Sequence, residues 1–166
     1  MVANDVTLFP SAILLLALVL LSALIAYQDI KHLRIPNVLT FLIATSGFVW
    51  AVAVAEREPL SILSGGVTGL AVLAGIRWAY AVVRKRQGLG LGDIKLAGAA
   101  CIWTGILQFP NLLLIACLAA CIHICVLYVR RRITIDRSTK LPFGAHMVVA
   151  LCYVVLTGEA CHLNNH

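Results

Sequence analysis

A chain of 166 residues in which 61% are hydrophobic and only 12% charged is too apolar for a soluble globular domain, whose apolar share is about 45–50%. Its expected solvent is a lipid bilayer. The net charge of +6 does not argue for nucleic acid, because the basic residues form short runs beside apolar stretches without an aromatic-interleaved stripe; membrane lipids with anionic headgroups are their expected partners.

Dividing the chain by the roughly 20 residues needed to cross a hydrocarbon core predicts an all-α polytopic membrane protein. It forms one integral-membrane domain over 1–166, with spans at about 8–27, 38–55, 62–83, 94–109, 112–129 and 142–158. The first run has Asp5 and no Lys or Arg before it, and its length of about 19 apolar residues exceeds a secretory signal core, so it reads as a retained helix. It closes in "LIAYQDIKHLRIPN", which puts Asp29 within about a turn of the helix end. Pro36 and Asn37 read as the turn opening the second span, with Asn37 suited to an N-cap.

In the third span Gly65 and Gly69 form a small-xxx-small pair, and Gly66 and Gly75 add thin positions, for close helix contact or as a groove for a substrate helix. Arg77 is expected to snorkel, with Trp78 and Tyr80 as interface anchors. The fourth span opens in "GLGLGDIKLAG" (88–98), where Gly88, Gly90 and Gly92 precede Asp93. Glycine permits positive φ or close approach of another chain. A phosphate cradle is disfavoured, since no strand precedes the run and Asp93 would repel the anion. Lys95 points about 200° away from Asp93 on a helix, so it is expected to snorkel or to meet another loop.

Only "FPN" (109–111) separates the fourth and fifth runs, which leaves a single bent segment or a re-entrant hairpin open. Cys117, Cys121 and Cys125 share one face of the fifth span and are expected to pack as small hydrophobes. No CxxC occurs, and neither a metal nor a cofactor is expected. A disulfide between Cys152 and Cys161 stays open. "LPFGAH" leads into the sixth span, where Pro142 and Gly144 permit a broken helix start.

Ten of the thirteen basic residues lie in alternate loops: Lys31 and Arg34; Arg84, Lys85 and Arg86; Arg130, Arg131, Arg132, Arg137 and Lys140. Arg57 stands alone in the second loop. The positive-inside bias then puts the first, third and fifth loops in the cytoplasm and both termini outside. Asp5, Glu56, Glu58 and Glu159 fall on the outer side, and Asp136 is an ordinary solvated loop residue. Asp29 and Asp93 sit at cytoplasmic span ends, where an ionisable group costs about 2–4 kcal/mol unless it faces protein or water. Facing each other, one could activate water while the other, protonated, polarises a carbonyl. Asp93 opens a helix and Asp29 closes one, so the macrodipole predicts that Asp93 is the more often ionised.

"GLGD" (90–93) followed by "IK" resembles the GxGD motif of membrane-embedded aspartic proteases, in the GxGDxK form of bacterial type IV prepilin peptidases. "DIKHLRIPNVLT" (29–40) is similar to that family's first aspartate block, and "LPFGAH" (141–146) to its Pro-Phe-Gly motif, with His146 in place of a small residue or proline. The resemblance implies an aspartic endopeptidase with Asp29 and Asp93 as its catalytic pair. Gly90, Gly92, Lys95, Pro36, Asn37, Pro142 and Gly144 would surround them as motif residues. It also implies a pilin-like precursor with a short basic leader as substrate, cut at the cytoplasmic face of the bacterial inner membrane, and pilus or secretion assembly proteins as further partners. The chain lacks the cytosolic insert and cysteine-bearing domain of bifunctional members, so it looks like the compact tight-adherence type, without N-methyltransferase activity. Three other readings remain: a transporter or channel with paired carboxylates, a protease of the presenilin or signal-peptide-peptidase kind, and an assembly factor without activity. The second would show Tyr-Asp and a late Pro-Ala-Leu where this chain has "YQD" and "LPFG".

Overall fold

Backbone amides in lipid have no water to bond, so an apolar chain of this kind satisfies them within helices. The computed structural model describes the backbone of residues 3–85, 88–130 and 141–163, and the side chains of 11–85, 88–130 and 141–158. The side chains of Asp5, Glu159 and Cys161, and residues Arg86, Arg131, Arg132, Asp136, Arg137 and Lys140, lie outside the described residues. Six α-helices appear in chain order: α1 (Ala3–His32), α2 (Asn37–Ala53), α3 (Pro59–Arg84), α4 (Leu91–Thr104), α5 (Phe109–Val129) and α6 (Phe143–Leu163). Among the described residues there is no strand.

Among the described residues, the segments Ser11–His32, Pro59–Arg84 and Ile106–Val129 are long and apolar enough to cross a membrane, and α2 and the Phe143–Gly158 part of α6 are shorter apolar stretches. Proline occupies the first turn of both α3 and α5, where its missing N–H costs nothing. The fourth and fifth runs are separate helices. Gly105, at φ 78° and ψ 161°, ends α4, and a 3₁₀ turn over Ile106–Gln108 leads into α5.

With 14 residues, α4 is the shortest helix and the best shielded. Leu96, Ala97, Gly98, Ala99, Ala100, Cys101 and Trp103 are all buried, because α4 packs extensively against both α3 and α2. The α3 contact depends on missing side chains. A Cβ on Gly69 would collide with Cys101 Sγ, one on Gly66 would lie 2.9 Å from Ile102 Cγ1, and one on Gly98 would lie 3.1 Å from the Gly66 carbonyl. The small-residue groove of α3 is therefore filled by α4 and is not open to a substrate helix. Gly75 has no neighbour within 4 Å and takes no part in this contact. On the α2 side, Trp103 Nε1 donates to the Ile43 carbonyl at 2.9 Å. The same indole stacks on Trp50 at 5.4 Å and lies directly over Gly47.

The remaining strong pairings are of α6 with α1 and with α5, while α1–α2 and α4–α6 contacts join the two sets. Helix α5 turns Leu112, Ala116 and Ala120 inward, an i, i+4, i+8 stripe. Cys117 and Cys121 follow that stripe by one residue, and Cys125 continues their face, so all three are exposed on the outer surface. They are not core packing residues as expected: alanine permits the closer helix approach, and the thiols are left facing outward.

Arg57 explains itself at the opposite end from Asp29. Its guanidinium donates to the Trp103 carbonyl in the last turn of α4 and lies 5.5 Å from the Trp50 ring. Burial lowers its pKa from the ordinary arginine value. A cation at a helix C-terminus satisfies carbonyls that have no intrahelical partner. This lone basic residue of the second loop thus holds the end of α4. Arg57→Ala is expected to lower stability by about 1–2 kcal/mol, measured as a lower thermal midpoint of the detergent-solubilised protein.

Candidate active site

The C-terminal end of α1 and the N-terminal ends of α2, α4 and α6 meet at one end of the bundle. Asp29 lies in the last turn of α1 and is only 5% exposed. Its Oδ2 accepts the Ala145 N–H at 2.9 Å, and the Gly144 amide also faces it. Both amides belong to the first turn of α6, whose N–H groups have no intrahelical acceptor. A buried carboxylate here is therefore bonded, which offsets its desolvation.

Leu33, at φ 51°, breaks the chain away from α1 while its N–H still reaches the Asp29 carbonyl at 2.9 Å. Pro36 is the extended residue that caps α2. Asn37 is not the N-cap that its residue type suggested; it is the first helical residue, and its Oδ1 accepts a hydrogen bond from Lys95 Nζ at 2.9 Å. Proline fixes φ where a cap needs it, and the amide is thereby released to tie α2 to α4. Lys95 accordingly meets another element, and it forms no ion pair with Asp93 among the described residues.

Asp93 is the third residue of α4, whose N-cap is Gly90. Its carboxylate bonds back to the Gly90 N–H, the return half of a capping box. Gly90 itself has φ −69°, so its lack of a side chain matters for space: a Cβ there would lie 3.0 Å from Asp93 Oδ2. Asp29 and Asp93 thus both rest on helix N-termini. The dipole asymmetry expected from Asp93 opening a helix and Asp29 closing one is offset, because α6 presents its positive end to Asp29.

Gly144 joins the two. A Cβ at this position would lie 3.0 Å from Asp29 Oδ2, 3.2 Å from Asp93 Oδ1 and 2.5 Å from Ile35 Cδ1. The two carboxylate oxygens are therefore no farther apart than the first two distances laid end to end. Ile35 walls the space and also packs on Gly92, where a Cβ would lie 3.0 Å from Ile35 Cβ. Arg77 donates to the Leu89 carbonyl and fixes the segment entering α4. An open groove of about 470 Å³ along α3 and α4, lined by Leu70, Ala74, Arg77, Trp78, Leu91 and Lys95, includes neither aspartate.

The structure thus brings Asp29 and Asp93 to the same small space beside Gly144, with Gly90 next to Asp93 and Gly92 against Ile35; Pro36 caps α2, Asn37 and Lys95 tie α2 to α4, and Pro142 is bonded by His146. Sequence reasoning missed Ile35, Ala145 and His123. Ile35 is signalled only as an apolar residue in a basic loop, and His123 only as a polar residue in an apolar helix. Ala145 carries no signal, since its contribution is a backbone amide. His146 bonds the Pro142 carbonyl through Nδ1 and His123 through Nε2, each at 2.9 Å. No group of three or more His, Cys, Asp or Glu side chains converges as a metal site among the described residues.

Residues 14–125 match the sequence model of the type IV leader peptidase family. The chain belongs to that family. Among its relatives, the type 4 prepilin-like proteins leader peptide-processing enzyme of Escherichia coli O78:H11 is 33% identical over 135 residues, 78% of this chain and 47% of that protein. The prepilin leader peptidase/N-methyltransferase of Aeromonas hydrophila is 28% identical over 162 residues, 96% of this chain and 55% of that protein. The leader peptidase HopD of Escherichia coli is 30% identical over 131 residues, 78% of this chain and 83% of that protein. The chain thus spans about half the length of the first two relatives. No solved structure matches it significantly. In this member of the family the match covers both aspartates but ends within α5, so the α6 amides enter the site on geometry.

Proposed function

We propose that the chain is an intramembrane aspartic endopeptidase that removes the basic leader of a type IV prepilin-like precursor. Cleavage would occur at the cytoplasmic face of the inner membrane, with residues 1–166 acting as a single peptidase domain. The observation that carries this reading is the approach of Asp29 and Asp93 to the same point above Gly144. Two carboxylates this close share one proton, because ionising both is opposed by their repulsion. The ionised member takes a proton from water as the oxygen attacks the scissile carbonyl, and the protonated member gives its proton to the carbonyl oxygen. Collapse of the tetrahedral intermediate returns a proton to the leaving nitrogen and restores the pair.

The positive-inside distribution of the loops supports the orientation. A transporter reading is weaker, since such sites use carboxylates at the membrane midplane on broken helices, whereas these lie at helix ends. All three relatives described are named for leader processing, whereas methyl transfer is named for one of them, which supports the peptidase reading.

The test is incubation of the purified protein with a prepilin-like precursor carrying a basic leader, with the products identified by mass spectrometry. Release of the intact leader is the expected result, and an uncut precursor would overturn the reading. Adding a methyl donor should leave the new N-terminus unmodified. The rate should pass through a maximum with pH. It falls on the acid side as both carboxyls are protonated and no base remains, and on the alkaline side as both ionise and no acid remains. A rate that changes in one direction only across the range would contradict the shared-proton mechanism.

A further inference from the structure

We infer that His123 is a positioning residue for this site, acting through His146 to fix the turn of α6 whose amides hold Asp29; the inference rests on the endopeptidase reading above. His123 lies in α5, remote in sequence from every motif residue. Its Nδ1 is 2.9 Å from His146 Nε2, and the rings are tilted by 44° with centroids 5.1 Å apart. His146 Nδ1 is 2.9 Å from the Pro142 carbonyl. A carbonyl oxygen only accepts, so Nδ1 of His146 carries the proton. In a neutral imidazole its Nε2 is then the acceptor, and His123 must supply Nδ1–H. One proton order satisfies the whole chain from His123 to Pro142.

That chain ends where it matters. Pro142 immediately precedes α6, and the Gly144 and Ala145 amides that face Asp29 lie between Pro142 and His146. His146 is itself within electrostatic reach of Asp29. With His146 anchored to α5, the turn cannot rotate without breaking the bond to His123. A polar side chain in a membrane helix calls for a polar partner, and here the partner belongs to the segment that carries the amides for Asp29. An apolar residue at 123 would fill the α5–α6 contact equally well but would leave His146 without its donor.

The experiment uses the full chain in detergent with the precursor cleavage assay. His123→Phe keeps a ring of similar size and loses the donor, whereas His123→Asn keeps an N–H near the Nδ1 position. His123→Phe should lower kcat about tenfold, as expected for a lost hydrogen bond that aligns a catalytic group, with KM little changed. His123→Asn should recover most of kcat. In a His146→Asn background, His123→Phe should cost nothing further, since the link is already cut. An unchanged kcat for His123→Phe, equal losses in the Phe and Asn variants, or a loss confined to KM would overturn the inference.

A readout independent of cleavage is the infrared carboxylate band of Asp29, labelled with 13C and assigned by comparison with Asp29→Asn. It should shift in His123→Phe and return in His123→Asn; a band that ignores both variants overturns the inference even if no precursor is cut. Failure of the wild type to cleave would instead count against the endopeptidase reading.

Discussion

Asp93→Asn, and separately Asp29→Asn, should reduce precursor cleavage by about 10⁴-fold, the upper end for a single acid–base group, because in the proposed mechanism each carboxylate serves as both acid and base during turnover. The double variant should be no slower than either single one, since the two act as a unit. Folding should survive. An Asn side-chain oxygen at 29 can still accept the Ala145 N–H, and one at 93 can still accept the Gly90 N–H, so helix content by circular dichroism and the thermal midpoint should stay close to wild type. Cleavage that persists in either variant would exclude an aspartic mechanism.

Gly144→Ala is the second large effect. The added methyl would meet three groups: Ile35 Cδ1 at 2.5 Å, Asp29 Oδ2 at 3.0 Å and Asp93 Oδ1 at 3.2 Å. The first is the end of a flexible side chain and can turn away at small cost. The oxygens are held by helix amides and must separate, which misaligns the pair. A displacement of about 1 Å costs on the order of 10²-fold in rate, so kcat should fall by about that factor with a smaller change in KM. Adding Ile35→Val removes the Cδ1 contact. The double variant should therefore keep the low kcat of Gly144→Ala. If kcat returns, the methyl acts through Ile35 and not through the carboxylates.

Much of this site is written in residue types. Charge is so scarce in the chain that Asp29 and Asp93 stand out, and their flanking glycine and Pro-Asn signals mark helix starts. What stays hidden is which face of a helix meets which neighbour. Hydropathy carries the fourth run on to residue 109, whereas a positive φ at Gly105 ends α4 at Thr104. Gly66, Gly69 and Gly75 look alike along the chain, yet two touch α4 and the third touches nothing. The cysteines of α5 share a face as expected, but the stripe one residue earlier is the buried one. Asn37 has a capping side chain and spends it on Lys95. In each case the residue's capacity is legible and its partner is not, because partners are fixed by helix–helix packing.

The way the helices pair has a mechanical consequence. Helices α2, α3 and α4 form one close-packed set, α1, α5 and α6 another, and Asp29 belongs to the second while Asp93 belongs to the first. The spacing of the two carboxylates is therefore set between the sets and not within either one: it depends on how α1 packs on α2 and α4 on α6. A substitution in those contacts, far along the chain from either aspartate, would change that spacing with every helix left intact.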